Sequence, residues 1–180
     1  MKKLTLIATC VLAGLSAWAQ GTVNFANFAA GVDAPVTISA TGVRVTGPAY
    51  ASQLFFGPTT AGNNISAYTP VAGTVNFQSG AGAGYFLGGN KVIPGFGTGA
   101  SVKLIVAAFS TANGADYLSA RATGTTGISL PVTVSLGGGV VAPPNMTGLA
   151  GFGVAPVPEP STIALGVLGA AALLLRRRSK

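Results

Sequence analysis

Ser101-Val102-Lys103-Leu104-Ile105-Val106-Ala107-Ala108-Phe109 is the strongest strand signal in the chain. Val102, Leu104 and Val106 alternate with Ser101, Lys103 and Ile105, the period-two pattern of a strand that turns one face to a core and the other to solvent. Working outward, shorter runs rich in β-branched and aromatic residues recur at 22–27, 36–39, 43–46, 50–56, 74–78, 84–87, 117–122 and 128–135, separated by Gly, Pro, Asn and Thr. Together they predict an all-β domain, an antiparallel β-sandwich or barrel, with no helical periodicity of useful length. Pro94-Gly95 and the glycines at 97 and 99 mark a reversal before the opening strand, and Asn113-Gly114 marks a hairpin connection after it. Pro131, which brings no N–H to a ladder, predicts an edge or a bulge within 128–135. Segment 137–148, with three consecutive glycines and Pro143-Pro144, reads as a closing loop or the start of a linker. The pentapeptide Gly21-Thr22-Val23-Asn24-Phe25 recurs as Gly73-Thr74-Val75-Asn76-Phe77, but the match stops there, so equivalent strands or chance explain it better than duplicated half-domains.

Composition sets the chemistry. The 180 residues include 27 Gly and 11 Pro, below the roughly 25–30% Pro and Gly of unstructured low-complexity chains, so a folded core is expected. Hydrophobic residues make up 49% and charged residues only 7%, against about 25% charged in an ordinary soluble protein. The net charge of +7 resides mostly at the two ends, in Lys2, Lys3, Arg176, Arg177, Arg178 and Lys180. The body is nearly neutral, with Arg44, Lys91, Lys103 and Arg121 against Asp33 and Asp116, so no basic face for nucleic acid is expected.

Residues 1–19 have the three-part plan of a secretory signal: Lys2-Lys3, an apolar run from Leu4 to about Leu15, then Ala17-Trp18-Ala19. Small side chains at Ala17 and Ala19 suit signal peptidase, and cleavage after Ala19 leaves Gln20 first. The apolar run is shorter than the roughly 20 residues that span a bilayer, which disfavours a retained anchor. Lipidation of Cys10 is disfavoured because Thr9 precedes it and only half the apolar run lies upstream. Cys10 and Trp18 then leave with the signal, and the mature chain carries neither cysteine nor tryptophan.

At the other end, Val157-Pro158-Glu159-Pro160-Ser161-Thr162 is followed by an uncharged apolar run from Ile163 to Leu175 and by Arg176-Arg177-Arg178-Ser179-Lys180. The two prolines hold the chain extended around Glu159. Ser161 or Thr162 caps a helix, and the cations suit its carboxyl end. At about 1.5 Å per residue the run reaches about 20 Å, short of the ~30 Å hydrocarbon core, and snorkelling arginines recover several Å. A buried core helix of that length is the competing reading. The cation cluster disfavours it, because four charges at one helix end cannot be packed inside a small domain. Basic flanks stay cytoplasmic, which places Arg176, Arg177 and Arg178 inside and the body outside, the side to which the N-terminal signal also delivers it.

This arrangement resembles the PEP-CTERM sorting tripartite of Gram-negative bacteria: Pro158-Glu159-Pro160, an apolar helix and an arginine cluster. The resemblance covers only about residues 156–180. It implies an exosortase as processing partner acting near the Pro-Glu-Pro motif, with Glu159 as a recognition element, and an association with extracellular polysaccharide or biofilm. The implied organisation is a signal peptide at 1–19, a β-sandwich body at 20–150, a Pro/Gly linker with the motif at 151–160, and a single C-terminal transmembrane sorting helix at 161–180. The segment 93–109 resembles fibronectin-like or transthyretin-like sandwiches, with a jelly-roll-like arrangement as the alternative. The precursor is expected in the inner membrane, body on the periplasmic side, before it reaches the cell surface or the medium.

Catalytic machinery is not expected. The chain has no His, and the body has only Asp33 and Asp116, both placed in turns rather than motifs, so no triad, Cys-His pair or acid–base pair assembles. Ser101 with Lys103 has no further support. No cofactor is expected, and a transition metal has no ligands. Two functional readings remain: a non-enzymatic exported surface protein, or a carbohydrate-binding module on the same tail. In the second, the sugar contacts fall on Tyr68 and Tyr85, the tyrosines nearest loops. Asn64-Ile65-Ser66 and Asn145-Met146-Thr147 fit the glycosylation sequon.

Overall fold

The computed structural model describes residues 20–122 and 124–157. Its strands, in chain order, are β1 (Gln20–Ala26), β2 (Phe28–Ala29), β3 (Val32–Asp33), β4 (Val36–Ile38), β5 (Tyr50–Gly57), β6 (Thr69–Pro70), β7 (Val75–Asn76), β8 (Leu87–Gly97), β9 (Ser101–Ser110), β10 (Thr125–Ile128), β11 (Val132–Ser135) and β12 (Phe152–Pro156). They form a mostly-β fold of several sheets. The largest runs β4-β12-β10-β9-β5-β6, with β11 beside β9 and β7 beside β5, while β1-β8 and β2-β3 are two-stranded.

The apolar run that opens the sequence reading lies at the centre, as β9, paired with β5 on one side and with β10 and β11 on the other. Its alternation does not divide core from solvent. Val102, Leu104, Val106 and Ala108 enter the larger core with Val23 and Phe25 of β1 and Ile93 of β8. Ile105, Ala107 and Phe109 enter a second core on the opposite face with Ala51 and Phe55 of β5. What covers that second face is a 3-10 turn (Ile65–Ala67) with Tyr68, and a short helix, α1 (Tyr117–Ala120). Only Ser101 and Lys103 at the start of β9 and Ser110 at its end escape full burial.

Helix α1 occupies the segment expected as a strand at 117–122. Its cause is local: Asp116 accepts a hydrogen bond from the Ser119 N–H at 2.8 Å, and the Ser119 hydroxyl accepts one from the Asp116 N–H, a reciprocal capping box. Tyr117 and Ala120, three apart on one helix face, then cover Phe109 and Phe55. The Tyr117 ring meets Phe55 edge-on at 5.6 Å. Asn113-Gly114 accordingly belongs to a 3-10 turn (Thr111–Asn113) leading into the helix, not to a hairpin.

Three other expectations change. Pro94-Gly95 does not reverse the chain but lies in a bulge of β8, where five steps of β8 oppose two of β1 between the Gln20–Gly97 and Thr22–Val92 pairs. The reversal comes after Gly97, where the Ala100 N–H bonds the Gly97 carbonyl. The run at 43–46 and residues 84–86 of the run at 84–87 are connections, joined through bonds from Val45 N–H to the Val36 carbonyl and from Gly84 N–H to the Val45 carbonyl, and Leu87 opens β8. Finally, residues 152–156, read as linker, are β12. It runs parallel to β4 and antiparallel to β10, so the fold is not purely antiparallel.

Two of the local readings, at Pro131 and at 137–148, hold. Pro131 marks a bulge between β10 and β11: Ile128 faces Ala107 and Val132 faces Leu104, four steps against three. The buried Ser129 fills the gap. Its N–H donates to the Val106 carbonyl at 2.8 Å, and its hydroxyl accepts from the Val106 N–H at 3.0 Å. Segment 137–148 is a closing loop: it bonds along β1 through Thr22 and Gly137, and buries Met146 in the larger core. The two echoing pentapeptides occupy different sheet positions, β1 and β7, yet both phenylalanines converge on Phe86, Phe25 at 4.6 Å and Phe77 at 5.6 Å. Gly88 leaves room for this packing; a Cβ there would stand 2.5 Å from the Phe25 ring and 2.9 Å from Val75.

Replacing Ser129 by Ala strands the Val106 N–H in the core. We expect a loss of about 1–3 kcal/mol of unfolding free energy in urea titrations, with the native circular dichroism spectrum retained.

Candidate functional site

Asn27, fully buried where β1 ends, organises one corner of the surface. Its side-chain amide donates to the carbonyls of Ala34 (2.8 Å) and Gly84 (2.9 Å), and its side-chain oxygen accepts from the Phe86 N–H at 2.7 Å. Each partner neighbours an outward-facing residue. Asp33 precedes Ala34, Tyr85 lies between Gly84 and Phe86, and Phe28 follows Asn27 itself. One buried amide thus sets the positions of three surface side chains from distant parts of the chain.

Local geometry completes the cluster. β2 and β3 form a hairpin closed by Ala30-Gly31, with Gly31 at φ 76°, a value that favours glycine. Phe28 and Asp33 are directly opposite in its register and therefore project from the same face. The Tyr85 ring packs at 5.0 Å from Phe28, tilted by 45°, and its hydroxyl donates to Asp33 Oδ1 at 2.7 Å. The Arg44 guanidinium lies over the Tyr85 ring at 4.8 Å, a cation–π contact. The hydrogen bond to Asp33 stabilises the neutral phenol and raises Tyr85 above its ordinary pKa, while the Arg44 charge opposes the shift. Phe28 remains 57% exposed.

The other candidates are engaged in structure. Tyr68 is 6% exposed, a member of the second core, and its hydroxyl donates to the Gly62 carbonyl at 2.7 Å; it presents no ring face to a sugar. Burial raises the pKa of Tyr68 and of Tyr117. The two carboxylates have separate tasks: Asp33 accepts from Tyr85, while Asp116 caps α1, and the bonds from Ser119 lower its pKa. Lys103 Nζ donates to the Ala61 carbonyl. Of the sequon asparagines, Asn64 caps the 3-10 turn at 65–67, and Asn145 accepts from Asn24 at 2.7 Å and donates to the Ala30 carbonyl at 3.0 Å. Among the described residues no group of three His, Cys, Asp or Glu side chains is assembled for a metal. Phe28 and Arg44 escaped the sequence reading, since neither sits in a motif and each is placed by its packing on Tyr85. The tight Ala30-Gly31 turn was the one available signal.

At the carboxyl end β12 remains in the sheet to its last residue: Pro156 is paired with Thr125, and the Val157 N–H donates to the Gly124 carbonyl at 2.9 Å. The Pro158-Glu159-Pro160 motif follows at once. Residues 156–178 match the model of the PEP-CTERM protein-sorting motif. The PEP-CTERM match thus starts on the last strand residue of the folded body, with no free linker between the sheet and the match. No curated protein and no solved structure matches the chain. Ala17, Ala19, Pro158, Glu159, Pro160, Arg176, Arg177, Arg178 and the expected transmembrane helix lie outside the described residues. Among the described residues no helix is long and apolar enough to cross a membrane.

Two outcomes test this corner. Asn27→Leu, which deprives three backbone groups of their partner, should lower the unfolding free energy by about 2–4 kcal/mol in urea titrations. Asp33→Ala should bring Tyr85 ionisation down from its raised position, read from the pH titration of the tyrosine ring 13C resonances, because the largest cause of the shift is removed and the Arg44 charge remains.

Proposed function

We propose that the chain is a non-enzymatic exported protein whose PEP-CTERM tail delivers it to an exosortase, and that its β-sandwich body then acts at the cell surface or in the extracellular matrix, in association with polysaccharide or biofilm. The observation that carries this reading is the motif match at residues 156–178, which supports an exosortase-sorted exported protein. Signal peptidase cleavage after Ala19 would leave Gln20, which is paired with Gly97 of β8, as the first residue of the mature chain. The apolar run 163–175 would hold the precursor in the inner membrane with Arg176, Arg177 and Arg178 on the cytoplasmic side. A structural role for the body is favoured by its carboxylates, one spent on a tyrosine and the other on a helix cap.

The second reading, a carbohydrate-binding module carried by the same tail, is favoured by the surface cluster of Phe28, Tyr85, Asp33 and Arg44.

Replacing Pro158, Glu159 and Pro160 together by alanine should cause unprocessed precursor to accumulate in the inner membrane. Mass spectrometry of both termini in fractionated cells reads this directly: normal C-terminal processing of the variant contradicts the sorting role, and an intact N-terminus on the wild-type protein contradicts cleavage after Ala19.

A further inference from the structure

We infer that the face formed by Phe28, with Asp33 at its rim and Arg44 on the adjoining Tyr85 ring, is a subsite for a neutral polysaccharide, with Phe28 as the stacking platform and Tyr85 as the residue that positions it. The inference rests on the second reading above and specifies its site and ligand class.

Large apolar side chains exposed on a surface are ordinary when isolated, but Phe28 is neither isolated nor loose. Its hairpin closes in two residues, its register partner is Asp33, and the buried Asn27 amide lies directly beneath it. A ring fixed in this way loses little side-chain entropy when a ligand covers it. Tyr85 cannot be the platform, since Arg44 covers its ring and Phe28 packs against it. Phe28 keeps more than half of its surface open.

The rim supplies hydrogen-bonding groups of both kinds. Asp33 uses Oδ1 for the Tyr85 hydroxyl, and among the described residues Oδ2 has no partner, so it can accept from sugar hydroxyls. Arg44 is exposed, and its guanidinium brings only donors. A pyranose matches this combination. Its C–H face is flat and apolar enough to cover a phenyl ring, while its equatorial hydroxyls project sideways to a carboxylate acceptor and a guanidinium donor. The ligand class follows from charge. Asp33 and Arg44 cancel, and a uronate carboxylate drawn to Arg44 would meet Asp33 on the same face.

The test is a depletion assay of the full-length chain in mild detergent against insoluble cellulose, curdlan and mannan, with alginate beads as the anionic comparator. Salt is held at about 0.3 M, where the Debye length is well under 10 Å and the cationic ends are screened. Binding to at least one neutral polymer is expected. Phe28→Ala and Phe28→Leu should weaken it about tenfold or more, and Phe28→Trp should preserve it. Asp33→Asn should weaken it with the melting temperature unchanged. Leu130→Ala, at an apolar residue 71% exposed outside the cluster, should leave it intact.

The inference is overturned by absence of binding to every neutral polymer, by binding that Phe28→Leu retains, or by binding confined to alginate. Self-association abolished by Phe28→Ala without glycan binding also overturns it, in favour of a protein contact. Tail processing is read in cells for the same variants. Normal processing with glycan binding lost confines the result to this face, whereas a processing failure at Pro158, Glu159 and Pro160 tests the sorting role alone.

Discussion

The fold depends on excluding water from both sides of β9. A strand in that position must pair every backbone N–H and carbonyl within the protein, because an unpaired buried group costs about 1–3 kcal/mol. β5 satisfies one edge over its whole length, from Tyr50 opposite Ser110 to Gly57 opposite Lys103. The other edge is shared by two short strands, and Pro131 prevents them from forming one continuous ladder. The Ser129 hydroxyl takes the Val106 N–H that the break would orphan. The same constraint explains why a short helix and a 3-10 turn pack where an all-β pattern predicted solvent.

A second buried polar group fixes the surface. Asn27 is the hinge between the core strand β1 and the hairpin that carries Phe28 and Asp33, and its bonds reach across to the backbone on both sides of Tyr85. An apolar residue at this position could not hold the three segments in register, because dispersion contacts are not directional while hydrogen bonds are. Precision at the corner is therefore set from below by this amide, together with the backbone bonds from Ala34 N–H to the Asn27 carbonyl and from Val36 N–H to the Gly84 carbonyl.

The junction with the tail has a mechanical consequence. β12 pairs with β4 over residues 152–154 and with β10 at Ala155 and Pro156, the residue where the PEP-CTERM match begins. A processing enzyme working at Pro158-Glu159-Pro160 would therefore meet the motif close to a folded sheet and not at the end of a flexible spacer.

What the sequence alone determined is what local composition controls: the strand identities of β1, β5 and β9, the bulge at Pro131, the scarcity of catalytic groups, and the sorting tail, whose prolines, apolar run and cations are contiguous. The tertiary structure decided which faces are covered and which distant residues meet. Alternation in Val102, Leu104 and Val106 says that successive side chains point oppositely, but not whether the opposite side faces water; that depended on where α1 and Tyr68 packed. The strand expected at 117–122 became a helix because the Asp116–Ser119 capping box and the shelter of Phe109 outweighed β-propensity. Tyr68 and Tyr85 look alike in the chain, yet one became core and the other surface. Phe28, Asp33 and Arg44 meet around Tyr85, which the buried bonds of Asn27 hold in place, and no pattern of neighbours along the chain encodes hydrogen bonds between segments nearly sixty residues apart.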